Sequence, residues 1–159
     1  MQNNNNMPES IWADGCPENV QDSDKLTDKE LHSMAIDYVA KYIISRGFKI
    51  ENGYPRLQFP NIVCKKDGIM YAMIVVPSVF PDYLLPLDQL RINFVKEAKK
   101  RNCEPLYATI SYKSIDEERA NAKLTLKGDV FHTIFPGFHR LTEDKKQEFS
   151  IKPEDLFRP

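Results

Sequence analysis

The sequence predicts an α/β protein in which a mixed sheet lies between helices, with a C-terminal β-hairpin extension. Three observations carry this. In the stretch PNIVCKKDGIMYAMIVVP (residues 60–77), Asn61–Cys64 and Ile69–Val76 are apolar runs on either side of Asp67-Gly68. Asp-Gly between β-prone runs marks a hairpin, because a tight turn needs residues that tolerate positive φ. The second run has no polar break, so the strand is covered on both faces. Finally, helical periodicity appears both before and after the hairpin.

Residues 1–25 read as a polar, acidic leader, and residues 26–159 as one domain. Ile11 and Trp12 are the leader's bulky apolar pair, and Trp12 is its obvious anchor. We read it first as a tail resting on its own domain, with docking onto a partner subunit as the alternative. Thr27 and Glu30 then form a capping box, with Leu26 and Leu31 as its hydrophobic staple. Leu31, Met34, Ala35, Tyr38, Val39, Tyr42 and Ile43 share one helical face, and Gly47 ends the helix. Phe48–Glu51 reads as a strand, Asn52-Gly53 as a turn, and Arg56–Phe59 as a continuation towards the hairpin. Prolines at 77, 81 and 86 make the following segment irregular. A second helix spans Leu87–Arg101, with cations in its last turn and Asn102 as its cap. Pro105–Tyr112 is a strand and Ser114–Ala122 a short helix or loop. Leu124–Lys127 and Val130–Phe135 read as a hairpin about Gly128-Asp129. In the charged tail, Phe149, Ile151, Leu156 and Phe157 are candidate docking residues.

Composition narrows the function classes. The chain of 159 residues is 42% hydrophobic and 28% charged, ordinary for a globular domain. No apolar run approaches the ~20 residues that span a bilayer, and the N-terminus has no signal-peptide pattern. Cys16, Cys64 and Cys103 form no CxxC pair. We therefore expect a cytoplasmic protein with no zinc site or disulfide frame and no membrane partner. Net charge is −1, but residues 1–30 carry −5 and the remainder +4. A mildly basic body permits nucleic-acid contact without demanding it.

Residues 60–77 also resemble the core motif of the PD-(D/E)XK nuclease superfamily, the restriction-endonuclease-like fold. In that family the first strand opens Pro-Asp, and the second carries an acidic residue, an apolar residue and Lys. Here Pro60-Asn61 stands in the first place and Ile74-Val75-Val76 in the second, thirteen residues on. The element order, over about residues 27–112, resembles the family's αβββαβ core. The resemblance implies a nuclease-like fold whose metal site is degenerate, since Asn61, Ile74 and Val76 replace the Asp, the second carboxylate and the Lys. Mg²⁺ needs hard oxygen ligands, and these residues offer at most one neutral carbonyl. Ala35-Ile36 occupies the place of the first-helix Glu found in many relatives.

The expected function is therefore a non-catalytic binding or assembly module, with no catalytic residue, metal or cofactor assigned. Lys65, Lys66, Lys99, Lys100 and Arg101, with Lys96, are candidate phosphate-contacting residues. Nucleic acid, a second copy of the chain and another protein remain open as partners. Two alternatives stay beside this reading. One is a metal-dependent nuclease with ligands relocated to Glu30, Asp37, Glu51 or Asp82; the other is a small-ligand or scaffold protein on the same fold. Ile74 and Val76 are expected on one face, packed against the first helix near Ala35 and Val39.

Overall fold

A computed structural model describes residues 9–144 and the backbone of residues 149–151. After a single 3₁₀ turn at Asp22–Asp24 come α1 (Asp28–Ser45), β1 (Lys49–Ile50), β2 (Ile62–Lys66) and β3 (Ile69–Val79). Then follow α2 (Asp88–Lys100), β4 (Cys103–Ser114), α3 (Glu117–Asn121), β5 (Phe131–Ile134), β6 (Phe138–Arg140) and β7 (Phe149–Ile151). The fold is α/β, with a mixed sheet between α1 and α2.

Local chemistry sets most boundaries. The α1 capping box forms as expected: the Glu30 N–H donates to Thr27 Oγ1 at 3.1 Å and the Thr27 N–H to Glu30 Oε1 at 3.0 Å. Past the end of α1, Gly47 takes φ +90°, which glycine adopts without a Cβ penalty. Asp67 (φ 52°) and Gly68 (φ 81°) both occupy the left-handed region, so the β2–β3 turn twists with its strands. Asn102, at φ 56°, ends α2 in the same way.

The sheet runs β1-β2-β3-β4-β6-β7, with β5 also on β4. β2 and β3 are antiparallel, Ile62 opposite Met73. β3 and β4 are parallel from Met70–Cys103 to Val79–Tyr112, joined by the α2 crossover. Side chains alternate, so the sheet separates two cores. Met73, Val75, Leu106, Ala108 and Ile110 meet α1, whose buried face is Leu31, Ala35, Ile36, Val39, Ala40 and Ile43. Ala72, Ile74 and Tyr107 meet Phe94, Val95 and Ala98 of α2 on the other side.

The structure corrects several expectations. β3 does not stop at Val76: Pro77, Ser78 and Val79 stay paired with Ile110, Ser111 and Tyr112 of β4, so the irregular connection begins only after Val79. Arg56–Phe59 is not a strand but part of a loop between β1 and β2. Residues 124–127 do not pair with β5; Leu126 bridges Lys25 instead. The C-terminal hairpin consists of β6 and β7, Phe138 opposite Ile151. Ile74 and Val76 do share a face, but it is the α2 face, because Met73 and Val75 occupy the α1 side. Leu156 and Phe157 lie outside the described residues, as do the side chains of Phe149 and Ile151.

β5 and β6 share one edge of β4 in tandem. Ile134 stands opposite Ser111 and Phe138 opposite Ala108, so the outer segment spends one more residue than β4 between these pairs. The extra residue is a bulge at Phe135–Gly137, where Gly137 has φ 131°. The bulge switches parity. Phe131 faces α1 before it, and Phe138 faces α1 after it.

Candidate functional site

The position of the resemblance's first carboxylate is occupied by a working structural amide. Asn61 is fully buried, and its own N–H donates to the Met73 carbonyl at 2.8 Å. Its Oδ1 accepts from the Val75 N–H at 2.8 Å. Its Nδ2 donates to the carbonyls of Arg56 and Leu57, each at 3.1 Å, with Gln58 farther at 3.4 Å. One side chain thus ties the 54–60 loop to the middle of β3. The amide both donates and accepts here; an ionised carboxylate would face those carbonyls with no proton to give. Ile74 is fully buried and Val76 half-buried, both beside α2. These residues do not fit a divalent cation: the Asn61 side-chain oxygen accepts from the Val75 N–H, and the side chains of Ile74 and Val76 carry no oxygen.

The relocated-ligand candidates have their own roles. Glu30 belongs to the α1 cap, where hydrogen bonds from Thr27 hold its carboxyl below the usual range. Asp37 pairs with Lys41 at 2.9 Å on the exposed face of α1. Glu51 is half-buried just after β1. Asp82 pairs with Lys123 at 3.0 Å. Asp82 also lines a cleft of about 490 Å³ with Asp28 and His32, but His32 Nε2 is bound to the Val75 carbonyl at 2.6 Å. Among the described residues no group of three or more His, Cys, Asp or Glu is arranged to hold a metal.

The five candidate cations divide between the two faces. Lys65 is exposed and shares strand parity with Val63, hence the α2 side. Lys66 shares parity with Cys64 on the α1 side; its Nζ donates to the Arg46 carbonyl at 2.9 Å and lies 5.3 Å from the Phe48 ring centre. Lys99 lies 3.9 Å from Glu143, and Lys100 3.4 Å from Glu97. Arg101, exposed after α2, makes no ion pair with a described carboxylate. Lys65 and the end of α2 come to the same end of the sheet, because Met70 pairs with both Lys65 and Cys103.

Arg101 also lines a hollow of about 430 Å³ between α2 and the β2–β3 hairpin. Its floor is Val63, Met70 and Ala72 from the sheet and Phe94 and Ala98 from α2. Across the mouth, the Arg56 guanidinium lies over the Tyr54 ring, 4.6 Å from its centre. Burial, opposed by nearby Arg101, pushes up the Cys103 thiol at one end of the hollow, which therefore stays neutral. Sequence reasoning missed this site. Its one sequence-level signal is a pair of alanines, Ala72 and Ala98, inside otherwise bulky apolar patterns.

A second arrangement escaped it too. Arg119 is buried in α3 and forms a two-pronged pair with Asp129, Nε to Oδ2 and Nη2 to Oδ1, both 3.1 Å. Its Nη1 donates to the leader carbonyls of Ala13 and Gly15 at 2.6 and 3.0 Å. Burial pushes the Asp129 carboxyl up, but hydrogen bonds from Ser114, Ser10, Arg119 and the Val130 N–H outweigh it and leave the carboxyl below the usual range. The Trp12 indole N–H donates to the Lys127 carbonyl at 2.7 Å. Leader residues 10–15 are thus held against α3 and the 127–129 turn.

Among the described residues, no helix is long and apolar enough to cross a membrane. No curated protein matches the chain. Residues 29–141 match the family described as Domain of unknown function (DUF8840), and this span covers α1 through β6. The chain therefore belongs to the DUF8840 family.

Proposed function

We propose that this protein is a non-catalytic binding module on a degenerate nuclease-like core. One observation carries the reading: the hydrogen-bonding capacity of Asn61 is spent on the 54–60 loop and on β3. A nuclease of the resembling family needs that position to hold Mg²⁺, which would acidify water and offset phosphate charge. Here the same position closes a loop. The apolar hollow beside α2 supports a binding role, since small-molecule sites are concave, mostly apolar and fringed by a few polar groups. Nucleic-acid association stays within the proposal through Lys65, Lys99, Lys100 and Arg101 at one end of the sheet, with Lys66 on the opposite face.

The test is incubation of the purified chain with supercoiled and single-stranded DNA in Mg²⁺ or Mn²⁺. Intact DNA is the expected result. Metal-dependent cleavage lost on Asp82→Ala or Asn61→Ala would reverse the reading in favour of relocated ligands. An anisotropy titration of labelled DNA tests the nucleic-acid arm. Binding through these cations should weaken steeply between 50 and 200 mM salt, as released counterions require. An absence of binding at low salt removes that arm.

A further inference from the structure

We infer that the hollow between α2 and the β2–β3 hairpin is the binding site for a small amphiphile with an apolar body and one terminal anionic group. The inference rests on the binding-module reading and names its ligand class.

The hollow exists because helix coverage is uneven. α2 lies chiefly over β4 and reaches β3 only through Ala72 and Ile74, and β2 lies beyond its edge, so this face of Val63 and Met70 is left half-buried. Ala72 and Ala98 stand where larger side chains would close the gap, and both are buried. On the opposite face, Phe48, Tyr71 and Met73 fill the corresponding space beneath α1. The resulting volume, about 430 Å³, falls within the roughly 300–1,000 Å³ of small-ligand sites.

The charge at the mouth selects the head group. Arg56 and Arg101 are exposed, and neither guanidinium pairs with a described carboxylate. Arg56 Nε donates to the Pro60 carbonyl at 3.4 Å, and its guanidinium carbon sits over the Tyr54 ring, 4.6 Å from the centre. Its terminal nitrogens have no described partner. Glu97 is the one carboxylate on the lining, and Lys100, 3.4 Å away, offsets it. A neutral Cys103 thiol adds no negative charge. The rim is therefore net positive over an apolar, partly aromatic floor. Planar guanidiniums match carboxylate and phosphate oxygens in two-pronged geometry. A cationic or uncharged head would leave the rim charge unanswered.

The experiment uses the full chain and the fluorophore 8-anilinonaphthalene-1-sulfonate, itself an aromatic body with an anionic head. A saturable, one-to-one rise in emission is expected. Decanoate and decyl phosphate, below their micelle concentrations, should displace the probe, and their relative potency tells carboxylate from phosphate preference. Decyltrimethylammonium and decanol should be at least tenfold weaker. Arg56→Ala with Arg101→Ala should weaken probe and decanoate binding at least tenfold at an unchanged melting temperature, because both side chains are exposed. Ala98→Phe should abolish binding by filling the floor; if it fails to fold, the exposed double variant alone decides. The inference is overturned by displacement by the cationic amphiphile as strong as by decanoate, by wild-type affinity in the double variant, or by loss of the signal on Leu84→Ser with Leu85→Ser, which would place the probe on the exposed 83–87 loop. No probe binding together with intact DNA sinks this inference and leaves the non-catalytic reading standing. DNA cleavage together with anion-selective binding does the reverse.

Discussion

Asn61 decides what this protein's core can do. An Asn61→Asp change would introduce the carboxylate that the resemblance calls for, yet it would set that carboxylate against the Arg56 and Leu57 carbonyls in a fully buried place. It is expected to lower stability by about 2–4 kcal/mol in urea denaturation at pH 7, as a lost donor and a buried charge imply. The loss should shrink in acid. The new carboxyl would be driven to a raised folded-state pKa, so its penalty grows as pH rises from the unfolded value and is relieved below it. Equal destabilisation at pH 4 and pH 7 would contradict this account. Asp129 has the opposite sign. Its folded carboxyl lies below the ordinary aspartate value, so its stabilisation is complete above about pH 3.9 and is lost as pH falls through the lower folded value. Asp129→Asn should therefore remove one component of the acid-unfolding transition. At neutral pH, Arg119→Met should cost about 3–5 kcal/mol, because it leaves the Asp129 carboxylate buried without its cation. If the two single variants are no less stable than the parent, the clasp has no energetic role.

At the scale of elements, the N-terminal leader depends on the 126–129 turn. Gly128 has φ +80°, and a Cβ there would lie 2.5 Å from Ile11 Cδ1, while the Ile11 N–H donates to the Gly128 carbonyl at 3.1 Å. Gly128→Ala is expected to cost about 1–3 kcal/mol for an alanine forced to positive φ. Since the backbone contact and the Ile11 side chain meet at this residue, the leader should become more sensitive to limited proteolysis than residues 26–144. Unchanged proteolysis of the leader would show that Arg119 and Trp12 hold it without the turn. The connection from β3 to α2 is organised in a similar way. The Ser111 hydroxyl donates to the Asp82 carbonyl at 3.2 Å, the Ser78 oxygen accepts from the Leu84 N–H at 3.1 Å, and Tyr107 donates to the Leu84 carbonyl. Serines that interrupt apolar strands on the α2 side thus become anchors for the loop that lies over them.

For the whole molecule, the sheet acts as a partition. One face is sealed by α1, whose capping box and most of whose apolar row were legible in the sequence, though Tyr38 is exposed and Ile36 and Ala40 join the buried face instead. The other face is shared among α2, the 80–87 loop and a hollow. Replacing Ala72 or Ala98 by leucine is expected to leave the fold intact and raise or hold the melting temperature, since the added methylenes fill the hollow they line. A fall of several degrees would mean that the neighbouring side chains already fill it.

The sequence by itself determined the local elements: the Thr27–Glu30 cap, the Asp67-Gly68 turn, the unbroken apolar Ile69–Val76 run of β3, the end of α2 at Asn102, and the α/β class that follows from their order. Each depends on residues a few positions apart, where backbone conformation and periodicity act directly. Only the tertiary structure decided which helix Ile74 and Val76 meet, because strand parity leaves the choice between two apolar partners open. It also decided how the Pro136-Gly137 bulge turns both Phe131 and Phe138 to α1, since one extra residue breaks the period of two. The Arg119–Asp129 pair, its grip on the leader, and the hollow between Ala72 and Ala98 arise from segments distant in the chain. No local pattern encodes a contact or a gap between such segments; it is set when α2 and the leader pack against a sheet whose register is already fixed.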